Sequence, residues 1–188
     1  MSQKNMRKLS LLELNRLDKE TFKGVDKTPL VLILDNIRSA HNVGAAFRTA
    51  DGFALLGIHL CGITAQPPNR EITKTAIGAT ESVSWTYYND TCESIRVLKN
   101  QQFQIIGVEQ TNQSVDLIDV NFDFSKPTAL VFGNEVSGIS DEVIPLLDSA
   151  VEIPQWGTKH SLNVSVCVGI LSFEFVRQYQ IERKNLIL

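Results

Sequence analysis

Asn42 and Arg48 stand six residues apart in "NVGAAFRTAD", and Gly133, Asn134 and Glu135 are consecutive in "LVFGNEVSGIS". Ser161 and Asn163 open the most apolar run of the chain, "SLNVSVCVGILSFEF". Amide, guanidinium, carboxylate and hydroxyl groups of this kind grip anionic or hydroxyl-bearing ligands. Asn42 is expected to cap a helix starting near Val43, with Gly44 allowing close backbone approach and Arg48 one turn further on. An arginine near exposed helical N–H groups suits a phosphate, although the spacing equally allows a surface pair between Arg48 and Asp51. Gly133 and Gly138 bracket a tight loop that closes at Ser140, read as a helix cap. That loop is neither a Walker loop nor G-x-G-x-x-G. Ser161 reads as the N-cap of the last helix, with Asn163 exposed in its first turn.

These residues need strands and helices to position them. "PLVLILD", "GIHLCGI", "SVSWTYY", "QIIGVEQ", "TALVFGN" and "AVEIP" have strand length and apolar content. Between them, "NVGAAFRTADGFAL", "NREITKTAIGA", "TCESIRVLKNQ" (capped by Thr91) and "SDEVIPLLD" read as helices. Strands separated by such helices predict an α/β domain with a mostly parallel sheet and helices on both faces. Ligands in such sheets sit outside the carboxyl ends of the strands, which is where the three polar loops fall.

The chain has 188 residues and a formal charge of -3, enough for one domain with a sizeable core and too acidic to coat nucleic acid by bulk charge. Three scattered cysteines and three scattered histidines give neither a disulfide framework nor metal-ligand spacing, so no metal is expected. The N-terminus lacks a signal-peptide pattern, and no run reaches the length of a membrane span; a cytoplasmic protein is expected. Residues 1–28 carry Lys4, Arg7, Lys8, Arg16, Lys19, Lys23 and Lys27, with Leu9, Leu12, Leu14 and Leu17 between them. They are read as a basic amphipathic helical extension, and 29–188 as the single domain.

Taken in order and spacing, the three loops resemble the three motifs of the SpoU, or TrmH, family of RNA ribose methyltransferases of the SPOUT class. The resemblance runs from about Leu30 to Glu174 and includes "NREITKTAIGA". It implies transfer of a methyl group from S-adenosylmethionine to a ribose 2′-hydroxyl of tRNA or rRNA, a C-terminal trefoil knot and a homodimer. By the same resemblance, Asn42, Arg48, Glu135, Ser161 and Asn163 are catalytic. Val108, Glu109, Gly133, Asn134, Ile153 and Leu162 hold the cofactor, and His41 meets RNA. Since no separate RNA-binding domain is recognised, Arg7 and Lys8 at one end and Arg177, Arg183 and Lys184 at the other are expected to extend the basic RNA surface. Family proposals make the matching arginine a base. A guanidinium stays protonated in a protein, so Arg48 is better suited to holding a phosphate and stabilising developing alkoxide charge. Val136 stands where the family commonly has glycine, which predicts a stiffer or re-routed loop around Glu135. A catalytically silent RNA-binding protein, a base methyltransferase of the same class and a dinucleotide-dependent oxidoreductase are the alternatives, and cofactor binding and methyl position separate them.

Overall fold

The protein is described by a computed structural model covering residues 6–10 and 12–185. Lys4, counted in the basic extension, and the last three residues of the expected domain lie outside the described residues.

The central strand β1 (Thr28–Asp35) explains its own composition. Leu30, Leu32 and Leu34 belong to one buried cluster while Val31 and Ile33 belong to another. Alternate side chains point to opposite faces, so a strand covered on both sides reads as a continuous apolar run. The sheet also contains β2 (Leu55–Cys61), β3 (Trp85–Tyr88), β4 (Gln104–Val108), the short β5 (Val115–Asp116), β6 (Thr128–Phe132) and β7 (Ser149–Glu152). Its order is β3-β2-β1-β6-β4-β7-β5, and every neighbouring pair is parallel.

Helices cover both faces, as the sequence predicts. Residues of α2 (Ala40–Gly52), α3 (Arg70–Ala76) and α5 (Val164–Asn185) join the cluster of Leu30, whereas α4 (Thr91–Asn100) contributes Cys92, Ile95 and Leu98 to that of Val31. The close approach expected at Gly44 is to α3. A Cβ there would lie 2.6 Å from the carbonyl oxygen of Ile72, so glycine lets the two helices touch.

The local expectations need correction at several ends. Helix α1 spans only Lys19–Gly24, and Leu9, Leu12, Leu14 and Leu17 are all exposed. An isolated amphipathic helix with no surface to cover its apolar stripe does not recover its nucleation cost. Here a single turn ends at Asn15, in the left-handed region at φ 44°. The segment expected to be helical after Ser140 forms only a 3-10 turn at Ile144–Leu146, containing Pro145. Ser140 caps nothing; its N–H donates to Asp35 Oδ2 at 2.8 Å.

Three caps also shift by one to three residues. Ser39, not Asn42, caps α2, and Asp90, not Thr91, caps α4, freeing the Thr91 hydroxyl to donate to buried Asp35. At α5 it is Asn163, not Ser161, whose Oδ1 accepts the N–H of Ser165 at 2.9 Å.

Candidate active site

The ends of β4, β6 and β7 open onto a cleft of about 820 Å³. All six residues predicted to hold a cofactor line it: Val108, Glu109, Gly133, Asn134, Ile153 and Leu162. Its floor is fixed by the turn after β6. Asn134 and Gly138 exchange backbone hydrogen bonds of 2.8 and 2.9 Å, and the Asn134 side chain donates to the carbonyl of Asn36 while accepting from the N–H of Val136. A Cβ on Gly133 would lie 2.1 Å from the carbonyl carbon of Gly138 and from the nitrogen of Ile139, so only glycine closes this turn. Glu109 fastens the turn from outside, accepting the N–H of Ile139 at 3.0 Å. Val136 is 76% exposed at the tip and is not among the residues of positive φ. The backbone there is one that valine adopts without strain.

Glu135 joins this turn to α2. Its Oε2 accepts the N–H of Arg38 at 2.9 Å, and its Oε1 accepts the N–H of Ser39 at 3.1 Å and the Asn42 amide at 3.0 Å. Partial burial raises its pKa. The opposing hydrogen bonds from Arg38, its own backbone, Asn42 and Ser39 outweigh that and hold the carboxyl below the ordinary glutamate value. An anion at the start of a helix is also favoured by the exposed N–H groups there. Asn42 completes the chain of contacts: its Oδ1 accepts from Asn163 Nδ2 at 3.3 Å. Residues from three distant stretches thus meet at the cleft, with Ser161 on its lining.

Arg48 is not brought to this cleft. Six residues beyond Asn42 on α2, it projects roughly 120° away around the axis and about 9 Å along it. It lines a second hollow with Phe53, Lys74 and Ile77. The alternative pairing with Asp51 is not among the ion pairs of the described residues; Asp51 accepts from Ser82 instead.

The expected RNA contacts are spread widely. His41, Arg7 and Arg177 are held by Glu71, Glu13 and Glu174 respectively, and Lys8 is exposed. Two site residues escaped the sequence reading. Buried Asp35 ties β1 to Thr91 and Ser140, and exposed Arg38 offers Glu135 its backbone. The strand-end aspartate of "PLVLILD" was the available signal for the first; nothing local marks the second.

A profile of the SpoU rRNA Methylase family matches residues 29–173. The chain belongs to the SpoU rRNA methylase family. Among relatives, it is 34% identical over 149 residues to the tRNA (guanosine(18)-2'-O)-methyltransferase of Thermus thermophilus, covering 79% of this chain and 75% of that protein. The crystal structure of the Aquifex aeolicus TrmH/SpoU tRNA modifying enzyme superposes with a TM-score of 0.75 at 30% identity, covering 87% of this chain and 81% of that one. The AdoMet-bound rRNA methyltransferase of Sinorhizobium meliloti gives a TM-score of 0.75 at 28% identity, covering 83% of this chain and 59% of that one. The cleft of this SpoU chain suits such a cofactor. Its volume is in the small-molecule range of about 300–1,000 Å³. Its lining includes apolar Ile153 and Leu162 as well as the carboxylates of Glu109 and Glu152.

Proposed function

We propose that this chain transfers a methyl group from S-adenosylmethionine to a ribose 2′-hydroxyl of tRNA or rRNA. The observation that carries the reading is the meeting of Asn42, Glu135 and Asn163 at the rim of a cofactor-sized cleft. The bound cofactor would supply an activated methyl group and leave as S-adenosylhomocysteine, while the 2′-hydroxyl proton passes to solvent or, as the family reading has it, to Arg48; everything else is alignment and charge. Val108, Glu109, Gly133, Asn134, Ile153 and Leu162 hold the adenosine part. Ser161 and Asn163 orient the incoming ribose, and Asn42 links Asn163 to Glu135. Glu135, ionised and occupied by several donors, is better suited to holding these parts in place than to taking a proton.

Arg48 fills its role from a second copy of the chain. The hollow around it is rimmed by Ile77, and Phe173 of α5, 57% exposed, packs on neighbouring Phe53 with ring centroids 6.2 Å apart. Apolar surface of this kind beside a guanidinium with no ion-pair partner among the described residues supports a homodimer in which Arg48 of one protomer serves the cleft of the other, gripping phosphate and stabilising alkoxide charge.

The segment between β4 and β6 supports the knotted path. Gln178 of α5 accepts the N–H of Phe122 and donates to the carbonyl of Val120, and the rings of Phe122 and Phe124 pack at steep angles against Phe175. That segment therefore lies across α5, as a loop with a helix tucked through it requires. Arg7, Lys8, His41 and Arg177 add RNA contacts, with phosphates displacing the carboxylates that now pair three of them. The work is cytoplasmic, where tRNA and rRNA are met.

Labelled methyl transfer to unmodified total tRNA and, separately, to rRNA, followed by alkaline hydrolysis, tests the reading. Label in alkali-resistant dinucleotides is expected, because a 2′-O-methyl group blocks cleavage at its own phosphodiester. Label in mononucleotides would move the reaction to a base. Cofactor binding without label in either pool would point to a specialised RNA or a missing partner, and no cofactor binding at all would make the silent RNA-binding alternative the leading one.

A further inference from the structure

Trp156 is 85% exposed, and Trp156 and Phe173 are the two exposed phenylalanine or tryptophan side chains among the described residues. The other tryptophan, Trp85, packs edge-on against Phe47 with centroids 6.5 Å apart. Trp156 sits in the connection between β7 and α5, whose two shoulders belong to the cofactor cleft. Gln155 before it and His160 after it both line that cleft. The segment is fastened where it returns: the Gln110 amide donates to the carbonyl of His160 at 3.0 Å. Nothing lies within 4 Å of where a Cβ on Gly157 would stand, so the crest of the connection is clear of the rest of the chain. Exposed Lys159 adds a positive charge to the same crest.

A large aromatic surface is thus kept in water one residue outside the site where a ribose must be presented. To bring its 2′-oxygen to the cleft, an RNA has to unstack the bases around that ribose, and unstacked bases are held by aromatic faces. We infer that Trp156 is a stacking platform for an unpaired base of the RNA substrate, with Lys159 supplying charge for the adjoining phosphate. This inference rests on the methyltransferase reading of the cleft. Stacking of this sort persists from the bound complex through the reaction, so it acts on RNA affinity rather than on turnover.

The test compares Trp156→Ala and Trp156→Phe with the unaltered chain, using whichever of total tRNA or rRNA accepts label. Trp156→Ala is expected to raise KM for RNA by about 5- to 150-fold. Its kcat and its Kd for S-adenosylmethionine should stay within about twofold, and Trp156→Phe should recover most of the lost affinity. RNA should quench the fluorescence of the unaltered chain, and the quenching should vanish in Trp156→Phe, which retains Trp85. An unchanged KM in Trp156→Ala overturns the inference alone. So does weakened cofactor binding, which would assign the ring to the cofactor, or altered sedimentation, which would assign it to a contact between copies. If the unaltered chain labels neither RNA pool, the methyltransferase reading falls and this inference falls with it.

Discussion

Removing the charge of Glu135 tests whether it works through the donors it accepts from. Glu135→Gln keeps the shape but leaves one oxygen facing the N–H groups of Arg38 and Ser39 and the Asn42 amide. We expect kcat/KM to fall at least about tenfold while cofactor affinity changes less, as calorimetry and steady-state rates would show. The folded-state pKa of this carboxyl is depressed, so its contribution to stability is complete above the unfolded value of about 4.3 and is lost as pH falls through the folded value. Urea unfolding of Glu135→Gln across the acid range should lack that decline. Gly133→Ala meets a harder obstacle, because its Cβ would stand 2.1 Å from backbone atoms of the turn. More than about a tenfold loss of cofactor affinity with circular dichroism unchanged is expected, since overpacking displaces the backbone at a typical cost of about 1–3 kcal/mol. Asn42, Glu135 and Asn163 were singled out in the sequence, their place in one site through the family resemblance. Their mutual bonds were not, since each spans a sequence separation of 93 residues or more. Arg38 was invisible for another reason: its contribution is a backbone N–H that any residue would carry.

At the scale of elements, strands and helices followed from periodicity, while their ends depended on competition among neighbouring capping residues. Ser39, Asp90 and Asn163 each won against a plausible neighbour, and each loser had a tertiary partner or none at all. Asn42 was left free for Glu135, and Thr91 for Asp35. The last of these caps gives a clean comparison. Asn163→Ala should lower stability by about 1 kcal/mol, whereas Ser161→Ala should leave it within about 0.5 kcal/mol, both read from denaturant midpoints. The packing of α4 on the sheet makes a second prediction. His59 on β2 shares a 2.7 Å hydrogen bond with Ser94 of α4, and burial pushes its pKa down from 6.5 to about 4. The folded protein keeps this ring neutral, and the unfolded chain protonates it first. Stability should therefore decline as pH drops from 6.5 towards 4, and His59→Phe should flatten that part of the profile.

For the whole molecule, the separation of Arg48 from Asn42 on one helix makes the assembly testable without a structure of it. Arg48→Ala and Asn163→Ala should each be inactive alone. If Arg48 acts across a two-fold axis, mixing and re-equilibrating the two variants in equal amounts should restore about a quarter of full activity, because half the dimers then carry one intact site. No recovery would place both residues in one protomer. A threaded path and a subunit partner leave neither a periodicity nor a composition in a sequence, so both are expected here through resemblance alone. The turn from Gly133 to Gly138 is at once a wall of the cleft and, through Glu135, the clasp on the start of α2. Anything that fills the cleft and steadies this turn also steadies the start of α2, where the proposed ribose site lies. Linkage then requires reciprocity: by whatever factor the cofactor tightens RNA binding, RNA tightens the hold on the cofactor, and loss of Glu135 should bring that factor towards one.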